Sequence, residues 1–200
     1  MKILIDNGHG SDTKGKRSPD SSFYEWAFTR EIAMGVKTKL QQLGYDVELI
    51  VPEQEDISLA ERVQRANDIF KATGKQAFLV SIHANAAGDG SQWMKARGWE
   101  CYTSTGKTNS DLLADCLYVH AKKIFQGMKI REDKSDGDAD KEANFYILKK
   151  THCPAVLTEN FFYDNKEDLE YITSNKGKED IIECHVQGII SYVSSFLPFK

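Results

Sequence analysis

No run of apolar residues in this 200-residue chain approaches the roughly 20 needed to cross a bilayer. Basic residues are in the minority. Lys and Arg number 26 against 30 Asp and Glu, a net charge of −4. A general nucleic-acid binder usually carries the opposite surplus, so neither nucleic acid nor membrane is expected as a partner. Cysteine is sparse, and Cys101, Cys116, Cys153 and Cys184 include no Cys-x-x-Cys pair. That argues against a thiolate zinc site or a dithiol redox motif and leaves four reduced thiols, mostly in the core. Prolines number four, and no Gly/Ser linker, repeat or low-complexity tract interrupts the chain. One compact domain over residues 1–200 is the expectation. A chain of this size buries roughly 70% of its unfolded surface and needs no covalent staple. The opening Met1-Lys2-Ile3-Leu4-Ile5 meets Asp6 after three apolar residues, too short for a signal-peptide core, so these residues are not expected to act as an export leader.

Short apolar runs alternate with helix-period segments, which predicts an α/β fold. Strands are expected at Ile3–Asp6, Asp46–Val51, Ala77–Ile82, Gly98–Thr103 and Ala155–Glu159. The helix from Glu25 to Leu43 carries Phe28, Ile32, Val36, Leu40 and Leu43 on one face and stops at Gly44. Ser58 and Glu61 have the spacing of a capping box, opening a helix with Leu59, Val63, Ala66 and Phe70 inward. Further helices are expected at Ser110–Phe125 and Asp180–Phe196, with a short one capped by Asn165. The charge-dense stretch from Arg131 to Glu142 reads as a solvated loop.

In open α/β sheets, functional groups gather at the carboxyl ends of the strands. Here those ends carry His9, between Gly8 and Gly10, then His83, then Glu159. Two histidines and a carboxylate are the raw material of a metal hydrolase. A catalytic zinc usually takes three protein ligands and keeps one position open. Glu25 could supply the missing carboxylate, but acids are favoured in the first turn of any helix, so spacing alone favours a simple capping charge. Glu159 closes an apolar run, where burial raises a carboxyl pKa and suits it to proton transfer. Residues Gly10-Ser11-Asp12-Thr13-Lys14-Gly15-Lys16-Arg17 nearly spell a P-loop. Arg17 stands where the magnesium-binding Ser or Thr is required, and Pro19 interrupts the helix that should follow. His120, His152 and His185 are expected to be structural or superficial. Trp93 and Trp99 could wall a ligand site or pack inside.

Six segments, in order, resemble one family: Asp6-Asn7-Gly8-His9-Gly10; Glu25 to Ala33; Asp56 to Asn67; Ser81-Ile82-His83-Ala84-Asn85-Ala86; Gly98-Trp99-Glu100-Cys101-Tyr102; and Pro154 to Glu159 with Phe162 and Asn165. The chain resembles the zinc-dependent N-acetylmuramoyl-L-alanine amidases of the Amidase_3 group. The resemblance implies one zinc per chain held by His9, Glu25 and His83, with Glu159 as catalytic base and acid. It implies a twisted, mostly parallel mixed sheet with helices on both faces. The implied reaction is hydrolysis of the amide between N-acetylmuramic acid and L-alanine in peptidoglycan. The alternatives are a zinc hydrolase for another peptide amide, and a non-catalytic module binding cell-wall fragments. No wall-binding module is expected within the chain, and a monomer is expected. An enzyme of this kind would reach the wall by cell lysis, by a dedicated secretion route, or with a leader outside these residues.

Overall fold

The computed structural model describes residues 1–135 and 137–196. Asp136 and residues 197–200 of the expected domain lie outside the described residues. The first strand, β1 (Lys2–Asn7), leads to α1 (Glu25–Gln42), β2 (Val47–Leu49), α2 (Leu59–Ala72), β3 (Ala77–Asn85) and β4 (Trp99–Thr103). Then come α3 (Asn109–Ile124), β5 (Lys141–Glu142), α4 (Tyr146–Lys150), β6 (Ala155–Phe162), α5 (Lys166–Thr173) and α6 (Asn175–Ser194). The six strands form one sheet in the order β2-β1-β3-β6-β4-β5. All neighbours run parallel except the antiparallel pair β4 and β6, which makes the sheet mixed but mostly parallel.

Alternation along the strands divides the core between two faces. Ile3 and Ile5 of β1 pack with α1, α3, α5 and α6, whereas Leu4 packs with α2 and α4. Helices therefore cover both faces, which is why the central strands are apolar on both sides. The helix stops follow local chemistry: Gly44 and Gly74 take positive φ just beyond α1 and α2, and Asn165 caps α5 by accepting from Glu167 N and Asp168 N.

Several expectations are corrected. The charge-dense loop holds the two-residue strand β5 and buried Asp140. A further helix, α4, precedes the last strand. Strands β3 and β6 run on past their apolar cores, so His83 lies within β3 rather than after it, and Glu159 lies inside β6 rather than at its last position. Only half of the expected capping box forms: Ser58 accepts from Glu61 N, while the Glu61 carboxylate pairs with Arg65. Leu43, Leu59 and Phe196 are exposed rather than buried: Leu43 and Phe196 lie just past the last turns of α1 and α6, and Leu59 opens α2 on the cavity wall. The four cysteines are free, and Cys116 alone is not fully buried.

Candidate functional site

The parallel strands β1, β3 and β6 end side by side, and a cavity of about 630 Å³ opens above them. His9 follows β1, and its backbone takes a φ of 63°, a left-handed conformation uncommon outside glycine. Two arginines hold it there. The His9 carbonyl accepts from Arg30 Nη1 at 2.9 Å and from Arg62 Nη2 at 3.2 Å. Arg62 is 2% exposed and also donates to Asp6 Oδ1, Asn7 O and Ile57 O, each at 2.7 Å. Asp6 is closed off by Ser81 Oγ at 2.5 Å. A buried charge needs such complete pairing, and the reward is a rigid floor beneath the first histidine.

His83 enters from β3 opposite Glu159 of β6. Just beyond them the register slips, so that Asn85 pairs with Phe162, and Phe161 takes a φ of 67°. This is a bulge, which re-aims side chains at a strand end. Asn160 spans it, donating from Nδ2 to His83 O at 2.8 Å while its Oδ1 accepts from Trp99 Nε1. Gly8 provides the space: a Cβ there would lie 2.3 Å from His83 Cε1. Glu25 is the first residue of α1 and only 1% exposed. Its Oε2 lies 3.2 Å from His9 Nε2, and its Oε1 lies 3.1 Å from His83 Nδ1 and accepts from Ala84 N. Burial alone would raise this carboxyl's pKa, but hydrogen bonds from His83 and His9 outweigh it and bring it to about 2. For His83, burial pulls downward and the Glu25 partner raises the pKa on balance.

The three donor atoms lie within 4.8 Å of one another. Tetrahedral zinc with bonds of about 2.0 to 2.1 Å sets its donors roughly 3.3 Å apart, so the donor set and spacing fit that ion. Glu159 lines the same cavity, and its Oε2 is buried with no hydrogen-bond partner among the described residues. Burial, reinforced by the charges of Glu25 and Glu100 and opposed by His83 and Lys16, raises its pKa to about 8.

All four expected residues thus converge. Sequence reasoning assigns no role to Asp6, Arg62 and Asn160, whose only trace is their place in or beside the family-like segments. Glu100 is a further such residue. It faces Glu159 across the β4–β6 pair; Asn85 and Tyr102 donate hydrogen bonds to it, and Arg131 and Lys141 neutralise its charge. His185 is buried and structural, and His120 bonds Ser191. His152 is exposed. Trp99 is a core residue, and Trp93 lies apart under Lys166.

Sheet topology and site together define an α/β protein with a His-Glu-His donor cluster and a free carboxylate at its strand ends. The family model described as N-acetylmuramoyl-L-alanine amidase (Amidase_3) matches residues 3–191, and the chain belongs to that family. An endolysin of Bacillus phage SPP1 is 29% identical over 94% of this chain. The N-acetylmuramoyl-L-alanine amidase CwlM of Bacillus licheniformis is 29% identical over the same share. The chain spans 64% and 67% of those two relatives, about two thirds of their length. Among solved structures, an N-acetylmuramoyl-L-alanine amidase from Clostridium difficile 630 superposes with a TM-score of 0.79 at 28% identity, covering 98% of each chain. The amidase AmiC2 of Nostoc punctiforme shares the fold, with a TM-score of 0.81 at 23% identity and 97% of each chain covered. No helix among the described residues is long and apolar enough to cross a membrane.

Proposed function

We propose that this chain is a zinc-dependent hydrolase of the amide between N-acetylmuramic acid and L-alanine in peptidoglycan, with His9, Glu25 and His83 holding one zinc ion per chain. The observation that carries the reading is the juxtaposition of three converging donors with a buried, partnerless carboxylate oxygen on the same cavity wall. Family membership supplies the substrate class. A single sheet running through the described residues supports one catalytic domain.

A bound zinc ion would supply Lewis acidity, making water more acidic and the scissile carbonyl more electrophilic. The rest is done by the chain. Glu159 accepts the attacking water's proton on Oε2 and returns it to the departing L-alanine nitrogen. Burial makes that oxygen more basic than an exposed carboxylate, which favours the first transfer, and the carboxylic acid so formed is the proton donor for the second. Glu25 stays ionised between the two histidines, which preserves its oxygens as donors. Arg62 and Arg30 keep His9 in place, so little reorganisation accompanies the reaction.

Chelation should abolish stem-peptide release from purified sacculi, and stoichiometric zinc should restore it. Full activity in the chelated protein would overturn the reading. The products separate the other candidates: a peptidase would leave L-alanine on muramic acid, and a binding module would release nothing.

A further inference from the structure

The near-P-loop between β1 and α1 takes no part in the mechanism above, yet it is closely built into the site. Its backbone is pinned at both ends. Ser11 N donates to Gln54 O and Asp56 N to Asp12 Oδ1, both at 2.7 Å. Thr13 Oγ1 accepts from Gly10 N and donates to Asp56 Oδ2 at 2.6 Å. At the far end, Glu25 N donates to Lys16 O at 2.9 Å, and Arg17 bridges Tyr24. Gly90 backs the loop so closely that a Cβ there would lie 3.0 Å from Arg17 O and 3.2 Å from Gly15 O. The chain turns at Gly15, whose φ is 77°. Lys14 and Lys16 flank that turn, and both are exposed on the wall of the cavity that holds the donor cluster.

Neither lysine has an ion-pair partner among the described residues, whereas Arg30 is engaged with Glu53 O and Arg65 with Glu53 and Glu61. Glu159 aside, the acids on the same cavity are already committed. Asp56 bonds Arg62 and Thr13, and Asp89 bonds Ser91. Lys16 and Glu159 line the same cavity. A protein of net charge −4 therefore presents two free ammonium groups on a fixed loop beside its reacting centre. An ammonium is a compact point charge suited to an anion of variable geometry.

We propose that Lys14 and Lys16 form a cationic lip that recognises free carboxylates of the stem peptide and so sets the preference among stem peptides. This rests on the amidase reading: the glycan side of that substrate is neutral, whereas the peptide side carries carboxylates. Phosphates of other wall polymers share the same anionic chemistry, and soluble fragments free of polymer separate the two sources.

The test uses two disaccharide-tetrapeptides identical except at the second residue, D-isoglutamate in one and D-isoglutamine in the other. For the zinc-loaded wild type, kcat/KM for the carboxylate form should exceed that for the amide by about tenfold, as a charge-assisted contact supplies. The ratio should fall towards one in the Lys14→Ala/Lys16→Ala double variant and persist in Lys14→Arg/Lys16→Arg. It should also shrink as sodium chloride rises from about 0.05 to about 0.5 M. A ratio within one preparation does not depend on the active fraction. Equal cleavage of both fragments by the wild type, or an unchanged ratio in the alanine double variant, overturns the lip and leaves the amidase reading intact. Cleavage of neither fragment overturns the amidase reading and the lip with it.

Discussion

Replacing Gly8 by alanine should leave the fold standing and dismantle the site. The new Cβ would lie 2.3 Å from His83 Cε1 and 2.4 Å from Nδ1, about 1 Å inside ordinary contact. Gly8 does not need a left-handed backbone, so the cost is steric rather than conformational. The Gly8 backbone is held on both sides, its N donating to Ile82 O at 3.0 Å and its O accepting from Thr29 Oγ1 at 2.9 Å, which leaves the imidazole as the group that gives way. Metal sites tolerate donor shifts of about 0.2 Å, so a displacement near 1 Å should weaken zinc binding by at least about tenfold. Turnover should fall by about a hundredfold. The overpacking should cost about 1 to 3 kcal/mol of stability. A zinc titration against a chromophoric chelator reads the first effect, and urea unfolding of the metal-free protein reads the last. Gly44→Ala is the control. Its φ is 86° and its Cβ would meet nothing within 4 Å, so it should lose about 1 kcal/mol and keep full zinc affinity. Wild-type zinc affinity in Gly8→Ala would refute the reasoning.

Other outcomes follow from the same structure. Arg62→Met leaves Asp6 buried without its cation and should cost about 3 to 5 kcal/mol in chemical denaturation. Adding Asp6→Asn should recover part of that loss; an additive further loss would contradict the pairing argument. His185 is buried with Nδ1 donating to Ile181 O and Nε2 accepting from Thr158 Oγ1, and burial lowers its pKa to about 4. The unfolded chain then binds a proton that the folded chain refuses, so this histidine's contribution is complete above pH of about 6.5 and is lost as pH falls towards 4. The drop amounts to about 3 kcal/mol, and His185→Gln should flatten that part of the stability–pH curve. Zinc at about 100 times its Kd should stabilise the wild type by about 2.7 kcal/mol. In a thermal-shift measurement that gain should vanish in His83→Ala.

The sequence is most legible where chemistry and strand ends coincide. His9, His83 and Glu159 follow apolar runs, and the rule that strand ends carry function groups them from the residue pattern alone. Glu25 is not legible in that way, because an acid in a first helical turn is ordinary; the family resemblance marks it as a ligand, and its burial between two imidazoles is the physical feature that separates a donor from a capping charge. The elements that the pattern hides are short. The five residues of α4 give periodicity too little length, and β5 is two residues inside a run of charges. Phe145 occupies the N-cap of α4 without a side-chain hydrogen bond, so no capping signal marks that helix. It is 38% exposed, Tyr146 43% and Leu59 52%, all on the cavity wall. Their apolar character predicts burial, and the cleft keeps them open. Strand ends are hard to place for a related reason: β3 and β6 continue into polar residues that the site uses, where the hydrophobic pattern stops. Glu100 stands in a family-like segment, but its buried pairing with Arg131 and Lys141 depends on contacts between segments far apart in the chain.

The central claim is that three residues hold the metal and a fourth moves the proton. It is tested most directly by comparing zinc-loaded wild type with zinc-loaded Glu159→Gln on purified sacculi. Bound zinc is measured on both proteins and the products are read by mass spectrometry. The account predicts one zinc per chain in each. The wild type should release intact stem peptides and leave peptide-free muramic acid, and the variant should be slowed by at least about a hundredfold. Equal release by the two proteins, or cleavage within the peptide by the wild type, would contradict it.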